Sequence, residues 1–203
     1  VRNAFAETEN SLGALYRLQQ QAVENDARRA TAADTLRIAH NRYRNGYASY
    51  LEELDAQRLD GKVVIVLDIL FATSSIVTAL AHGASEVIAT LDGHAAQAAA
   101  ANYPAGSYVL SGELNADTLP GFVHPTPKAL LAEGIAGRRL IYCTTNGTVA
   151  LAKSQGAAHV YAAALLNGRA VVGRIVAHHP DATILIVCSG SADNFNLEDF
   201  YGA

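Results

Sequence analysis

The sequence contains no methionine and no tryptophan, and it has only two cysteines among its 203 residues. Because methionine is missing, Val1 is not an initiator, and we expect the chain to be a fragment of a longer protein. Cys143 and Cys188 each end an apolar run, which indicates buried, reduced thiols and predicts a cytoplasmic location. A catalytic thiol at Cys188 is the alternative. The seven histidines do not fall at metal-ligand spacings with these cysteines, so no zinc site is predicted.

Long apolar runs and an excess of positive charge are also missing. The net charge is −4, which gives no electrostatic reason to expect nucleic acid as a partner. No apolar run is long and clean enough to span a bilayer, so no membrane span is predicted. Half of the residues are hydrophobic and 17% are charged, which is typical of a globular protein.

Proline and lysine are absent from the first 58 residues, where eight arginines balance eight acids. The apolar residues of this segment fall on one arc of a helix over residues 3–44, and Ser49 can cap a second helix that ends at Arg58. All five prolines and all the lysines follow this point. The composition therefore predicts two parts, an α-helical coiled-coil segment over 1–58 and an α/β domain over 61–203.

The motif RYRNGYASYLEELDAQR, residues 42–58, resembles the C-terminal coiled-coil region of the TolC-like outer-membrane efflux factors. The resemblance implies a helix of a trimeric periplasmic tunnel. We therefore expect a homo-oligomer, formed through this segment or through the α/β domain. An alternative hypothesis for the whole chain is an efflux-factor coiled-coil fragment fused to an inactive α/β domain.

The remaining residues alternate between apolar strands and helical patterns. Hydrophobicity runs continuously along the strands, which indicates burial on both faces and predicts a three-layer α/β/α fold with a mostly parallel or mixed sheet. The predicted strands are residues 63–69, 86–90, 107–112, 140–144, 159–164 and 182–190. The predicted helices are residues 74–83, 93–103, 148–156 and 168–179.

Polar residues collect where four of these strands end. Asp68 lies at the end of the first strand, and Ser111, Glu113 and Asn115 lie at or just after the end of the strand over 107–112. TTNGT begins at the last residue of the strand over 140–144, and Ser189 and Gly190 end the last strand. Ligands of open α/β sheets bind outside the carboxyl ends of the strands, so we expect these residues at one edge.

This set of residues suits an anion site assisted by a metal. The TTNGT loop offers hydroxyls and free N–H groups at a helix N-terminus, which favour a phosphate. The carboxylates of Asp68, Glu113, Glu198 and Asp199 are oxygen ligands of the kind that hold Mg²⁺. Such an ion would stabilise the charge that develops in phosphoryl transfer.

Each of these motifs also has a purely structural interpretation. Asp68 is placed to cap the next helix. TTNGT contains the Asn-Gly pair of a β-hairpin, although helical spacing continues after it. Glu198 and Asp199 fit the acidic first turn of a helix, and Glu113 fits a solvated loop charge. Their shared position at the strand ends favours the site.

Four stretches, LDILFATSSIVTALAHGASEVI, SGELN followed by PGF, YCTTNGTVAL and ILIVCSGSADNFNLEDFYGA, resemble the 2-phosphosulfolactate phosphatase family in this order. The resemblance covers about residues 61–203 and implies a Mg²⁺-dependent phosphoric monoester hydrolase. Its substrate would be a small phosphate ester, 2-phospho-3-sulfolactate, hydrolysed to 3-sulfolactate and phosphate on the route to coenzyme M. By motif position, the implied catalytic residues are Asp68, Glu113 and Asn146, and the implied metal ligands are Asp68, Glu198 and Asp199. The implied phosphate-binding residues are Ser111, Thr144, Thr145, Gly147, Thr148, Ser189 and Gly190.

The chain departs from the family pattern at three positions near these motifs. Phe71 and Leu114 stand where the family usually has arginine, and Val123 stands where it usually has aspartate. Arginine recognises phosphate and sulfonate through paired N–H groups, which phenylalanine and leucine lack. The replacements, together with the end of the chain at Ala203, predict weakened activity on a substrate that carries both groups. Arg138, Arg139 and Arg169 are among the four arginines that remain in the α/β part.

Overall fold

The computed structural model describes residues 17–27, 30, 34, 58–190 and 196–203 of the chain. Residues 17–27 are helical and exposed to solvent. Most of the helices predicted over 3–44 and 49–58 lie outside the described residues, so the coiled-coil segment stays a prediction. Within the described part, no helix combines the length and the apolar character that a membrane crossing requires.

Strands and helices alternate along the chain from Val63 to Gly202. The strands are β1 (Val63–Leu67), β2 (Glu86–Thr90), β3 (Tyr108–Leu114), β4 (Asp117–Thr118), β5 (Arg139–Cys143), β6 (His159–Ala163) and β7 (Ile184–Cys188). The helices are α1 (Ala72–Ala81), α2 (Gly93–Ala100), α3 (Pro127–Ala132), α4 (Gly147–Lys153), α5 (Gly168–His178) and α6 (Leu197–Gly202). A 3-10 turn, Ser154–Gly156, follows α4.

Six predicted strands and four predicted helices are confirmed, with ends that differ by at most three residues. The structure adds β4, α3 and α6. Strand β4 has two residues and each added helix has six, so hydrophobic periodicity has too few positions to reveal them. Glu198 and Asp199 do lie in the first turn of α6, as the structural interpretation of these acids predicts.

The strands form two sheets rather than one. The first sheet has the order β6–β1–β7 and is parallel throughout. The second has the order β2–β5–β3–β4, in which β2, β5 and β3 are parallel and β4 pairs antiparallel with β3. The α/β class with parallel and mixed sheets is therefore confirmed. Continuous apolar strands indicate burial on both faces but not which strands pair, so the sequence pattern is the same for one sheet or two.

Helices cover both faces of each sheet. Alternate residues of β1 pack with Ala150 of α4 on one side and with Val171 of α5 on the other. Alternate residues of β5 pack with Ile76 of α1 on one side and with Ala96 of α2 on the other. All five residues of β1 are buried, which explains its unbroken apolar sequence VVIVL. Each such buried aliphatic side chain stabilises the fold by about 1.5–3 kcal/mol.

Candidate active site

A cavity of about 200 Å³ opens where strands of both sheets end. Residues from four strand ends line it, as the sequence predicts, although β1 and β7 belong to one sheet and β3 and β5 to the other. The lining residues are Asp68, Leu70, Phe71, Glu113, Asn115, Ala116, Thr144, Thr145, Asn146 and Gly190.

Asp68 lies at the back of this cavity, directly after β1. Its backbone is held by Thr73, whose Oγ1 accepts the Asp68 N–H at 3.0 Å and donates to the Asp68 carbonyl at 2.8 Å. Its carboxylate Oδ1 accepts the N–H of Ala72, the first residue of α1, at 3.1 Å. The capping interpretation of Asp68 and the site interpretation are therefore compatible, because the same carboxylate also lines the cavity.

The carboxylate of Asp68 packs against Gly147 at the start of α4. A Cβ at position 147 would overlap Asp68 Oδ2 and the Cβ of Ala72, so only glycine fits. The Gly147 N–H also interacts with the Asp68 carboxylate. This close approach of β1 and α4 depends on the glycine of TTNGT.

The pKa of the Asp68 carboxyl is raised from 3.8 to about 7, mainly because the group is buried. Only 6% of the residue is exposed. The negative charges of Asp199 and Glu113 raise the pKa further, whereas the N–H groups of Ala72 and Gly147 lower it. Asp68 therefore changes its protonation state near neutral pH, which is typical of functional carboxylates.

Glu113 connects the β3–β4 turn to the loop after β5. Its Oε1 accepts the Thr145 N–H at 2.6 Å, and its Oε2 accepts the Thr145 hydroxyl at 2.9 Å. The same Oε2 accepts the Ala116 N–H at 2.6 Å. Glu113 is half-buried and holds three donors, so the solvated-loop interpretation of this residue is wrong.

The turn between β3 and β4 forms one wall of the cavity. Asn115 and Ala116 both have left-handed backbone angles, with φ of 53° and 69°, and together they make the two-residue loop of a β-hairpin. The Asn115 N–H donates to Thr145 Oγ1 at 2.8 Å. Sequence reasoning misses this hairpin because Asn-Ala replaces the usual Asn-Gly.

The TTNGT motif joins β5 to α4, with Gly147 and Thr148 in the first turn of the helix, and it is not a hairpin. Thr144 and Thr148 bind each other, since the N–H of each donates to the hydroxyl of the other, at 2.8 and 3.1 Å. The Thr145 N–H donates to Glu113, and the Gly147 N–H is directed at Asp68. Four loop N–H groups that the sequence predicts to be free for a phosphate are therefore engaged within the protein.

The end of β7 is tied to the end of β1 by Asp199 of α6. Asp199 is 1% exposed. Its Oδ1 accepts the Ile69 N–H at 2.8 Å and its Oδ2 accepts the Gly190 N–H at 3.1 Å. Burial raises the pKa of this carboxyl. Asp199 thus holds two loops of the cavity together, but neither Asp199 nor its neighbour Glu198 lines the cavity.

Two predicted phosphate-binding serines lie next to the cavity and do not line it. The Ser111 hydroxyl is buried and donates to the Val123 carbonyl at 2.9 Å. Ser189 is 4% exposed, and its hydroxyl has no hydrogen-bond partner among the described residues. The β1–β7 register pairs Leu67 with Cys188, so the next residues, Asp68 and Ser189, leave their strands side by side.

The cysteines are free thiols outside the cavity lining. Burial raises the pKa of both Cys143 and Cys188 to about 11, so both stay protonated near neutral pH. A protonated thiol is a poor nucleophile, which favours the predicted core role over a catalytic thiol at Cys188.

The charge of the cavity suits a bound cation. The described residues that line it include two acids and no lysine or arginine. The described residues contain no cluster of three or more His, Cys, Asp or Glu side chains arranged to hold a metal. An ion here would take few protein ligands, and Mg²⁺ is commonly held by one or two carboxylates while it keeps several waters. Asp68 and Glu113 fit that description, and Mg²⁺ stays a prediction.

The fold and the cavity define an α/β domain with a small, acidic ligand site at the carboxyl ends of its strands. The particular family follows from comparison with known proteins. The chain belongs to the 2-phosphosulpholactate phosphatase family, whose model matches residues 48–203.

Curated relatives in Symbiobacterium thermophilum, Clostridium beijerinckii and Deinococcus radiodurans each carry the name "Probable 2-phosphosulfolactate phosphatase". The Symbiobacterium protein is 40% identical over 145 residues, which are 71% of this chain and 61% of the relative. The Clostridium protein is 33% identical over 150 residues, 73% of this chain and 62% of the relative. The Deinococcus protein is 38% identical over 143 residues, 70% of this chain and 58% of the relative. The chain thus spans about three fifths of the length of these relatives.

These comparisons give no support to the efflux-factor resemblance of residues 1–58. The family match begins at residue 48, inside that segment. The predicted division at 58–61 stays a prediction, as do the oligomer and the cytoplasmic location.

The structure brings six predicted site residues into the cavity lining. These are Asp68, Glu113, Thr144, Thr145, Asn146 and Gly190. Sequence reasoning missed Leu70 and Ala116. It noted Asn115 only as a polar residue after a strand and Phe71 only as a departure from the family pattern. The sequence did hint at all four residues, because each lies within or beside a motif that was predicted to form the site.

Proposed function

We propose that this chain carries the site of a phosphatase that hydrolyses a small phosphate monoester with the help of Mg²⁺. By family, the implied reaction converts 2-phospho-3-sulfolactate to 3-sulfolactate and inorganic phosphate, a step towards coenzyme M. Family membership and the names of the relatives support the reaction class. In the reaction, the oxygen of water bonds to phosphorus, the ester P–O bond breaks, and the alcohol leaves with a proton.

One observation carries the proposal: a buried carboxyl with a pKa of about 7 lines the cavity together with a second carboxylate. Asp68 and Glu113 are the residues that would hold Mg²⁺. When bound, the ion would neutralise charge between these carboxylates and the phosphate. Without an ion, the Asp68 carboxyl keeps its proton up to about pH 7. Because an ion can bind only after this proton is lost, ion binding should strengthen as the pH rises.

The other residues of the site position these groups. Glu113 fixes Thr145 beside the cavity through two hydrogen bonds. Asp199 fixes the loop after β1 and the loop after β7, and both loops contribute lining residues. Asn146 lines the cavity together with the two carboxylates, and its amide is available to orient an ester oxygen.

The test is phosphate release from p-nitrophenyl phosphate and from 2-phosphosulfolactate, with Mg²⁺ and with EDTA. We expect Mg²⁺-dependent release by the 203-residue chain and its loss in Asp68→Asn. The matched control is Asp92→Asn, because Asp92 is an exposed acid that caps α2 through the Ala95 N–H and does not line the cavity. Asparagine caps helices as well as aspartate does, so this variant should retain activity. Release that persists in EDTA, or in Asp68→Asn, would contradict the proposal.

A further inference from the structure

The cavity has an apolar wall in addition to its acids. Leu70 and Phe71 lie between β1 and α1, and both line the cavity. Leu70 is 63% exposed and Phe71 is 38% exposed, whereas the preceding residue, Ile69, is buried. Because Asp199 holds the Ile69 N–H, the loop keeps Ile69 in the core and presents the next two side chains at the cavity.

Phe71 has a defined packing partner at this wall. Its ring meets the ring of His124 edge to face, with 6.1 Å between the ring centroids. Edge-to-face packing favours one orientation of the ring. The wall therefore offers an ordered aromatic surface beside Leu70.

Cationic side chains of the described residues lie elsewhere. Arg139 is the first residue of β5, whereas the cavity lies past its last residue, and Arg139 pairs with Glu86. Arg138 donates to the carbonyls of Glu133 and Tyr108. Arg169 and Arg174 lie in α5, which packs on the opposite face of the first sheet from α4. None of these four arginines lines the cavity.

These observations decide what can lie beside the phosphate. A second anionic group, such as a sulfonate or carboxylate, would lose hydration without gaining a cationic partner among the lining residues, and it would face Asp68 and Glu113. An apolar group would instead cover Leu70 and Phe71 and remove apolar surface from water.

Resting on the proposed phosphatase function, we propose that Leu70 and Phe71 make this cavity selective for phosphate monoesters with an apolar or aromatic group beside the phosphate, against esters with a second anionic group. The proposal keeps the reaction of the family and changes the substrate class. Phe71 and Leu70 are then the residues that determine specificity.

The test uses phosphonates, which bind without being hydrolysed, so that leaving-group chemistry does not enter. Dissociation constants of benzylphosphonate and 3-phosphonopropionate are measured by calorimetry in the presence of Mg²⁺. We expect benzylphosphonate to bind at least about tenfold more tightly, a ratio within the range that one apolar contact provides. In Phe71→Arg the ratio should move by about tenfold or more towards 3-phosphonopropionate, because the ring is lost and a cation is gained.

Two further variants test whether the change in the binding ratio depends on the wall formed by Leu70 and Phe71. Leu70→Arg adds a cation at the more exposed neighbour and should shift the ratio in the same direction, even if Phe71→Arg fails to fold. Leu131→Arg is the matched control, because Leu131 is an exposed leucine of α3 that does not line the cavity. It should leave the ratio unchanged.

Binding and turnover separate the two proposals. The specificity proposal is overturned if the unmodified chain binds 3-phosphonopropionate as tightly as benzylphosphonate, or more tightly. It is also overturned if the chain binds neither phosphonate, even when it hydrolyses p-nitrophenyl phosphate. Preferential binding of benzylphosphonate without any Mg²⁺-dependent turnover would leave the specificity of the cavity intact and overturn the phosphatase function.

Discussion

Replacing Asp68 with asparagine should remove a pH dependence from the stability of the fold. The pKa of this carboxyl is raised from 3.8 to about 7. Between those values the folded state keeps a proton that the unfolded state has released, so stability falls as the pH rises. Each pKa unit corresponds to about 1.4 kcal/mol, so the loss between pH 4 and pH 7 is roughly 4 kcal/mol.

Asparagine at position 68 has no proton to lose in this range. Its amide oxygen can still accept the Ala72 N–H, and any cost of placing its NH₂ near Gly147 is independent of pH. The free energy of unfolding of Asp68→Asn should therefore rise relative to that of the unmodified chain as the pH increases from 4 to 8. Urea unfolding at intervals of one pH unit measures the difference, with Asp92→Asn as the control.

Parallel pH profiles for the two proteins, within about 0.5 kcal/mol, would refute the buried-carboxyl argument, since about 1.4 kcal/mol per pH unit is expected. Mg²⁺ provides a second check at pH 8, where Asp68 is ionised. An ion that binds only the folded state stabilises it by about 1.4 kcal/mol for each tenfold excess over its dissociation constant. The unmodified chain should gain this stability and Asp68→Asn should not.

Three substitutions test other parts of the site. Gly147→Ala should destabilise the chain by about 1–3 kcal/mol, because its Cβ would overlap the carboxylate packed against it. Glu113→Gln should lower the free energy of unfolding in urea by about 1–3 kcal/mol. Its new NH₂ group would face N–H donors that now donate to a carboxylate oxygen. Ala116→Gly should raise the melting temperature and stabilise the chain by about 1 kcal/mol, because alanine is strained at a φ of 69°.

Each of these substitutions has a control or an outcome that contradicts it. Gly156→Ala introduces the same methyl group where the nearest atom is 4.0 Å away, and it should cost much less than Gly147→Ala. Ala101→Gly makes the same change as Ala116→Gly at a φ of −61°, and it should be destabilising. An unchanged unfolding free energy in Glu113→Gln would mean that the three hydrogen bonds of Glu113 contribute nothing to stability.

The sequence predicted the site best where strand signals and polar motifs adjoin. Strands β1 and β5 are continuous apolar runs, and the residues after them, Asp68 and Thr144–Asn146, line the cavity as expected. The rule that ligands bind at the carboxyl ends of parallel strands also predicted that Glu113 and Gly190 lie at the same edge. It held across two sheets because β3 and β5 end near β1 and β7.

Contacts between distant residues were beyond the reach of the sequence. Asp199 binds the N–H of Ile69, 130 positions earlier in the chain, and no local pattern indicates that pairing. Glu113 and Thr145 are 32 positions apart and meet only because β3 pairs with β5. The β3–β4 hairpin was hidden for a local reason, since alanine is rarely found at its left-handed position.

These distant contacts reverse the electrostatic argument for the phosphate. From the sequence, the loop after β5 offers free N–H groups to an anion. In the structure, Asp68 and Glu113 take two of those groups, and the other two close a ring between Thr144 and Thr148. Four N–H groups of this motif are thus engaged within the protein, and the two acids that line the cavity favour a cation there. We therefore expect a phosphate to bind this cavity together with a cation, so metal dependence and phosphate binding are a single prediction that one titration with Mg²⁺ can test.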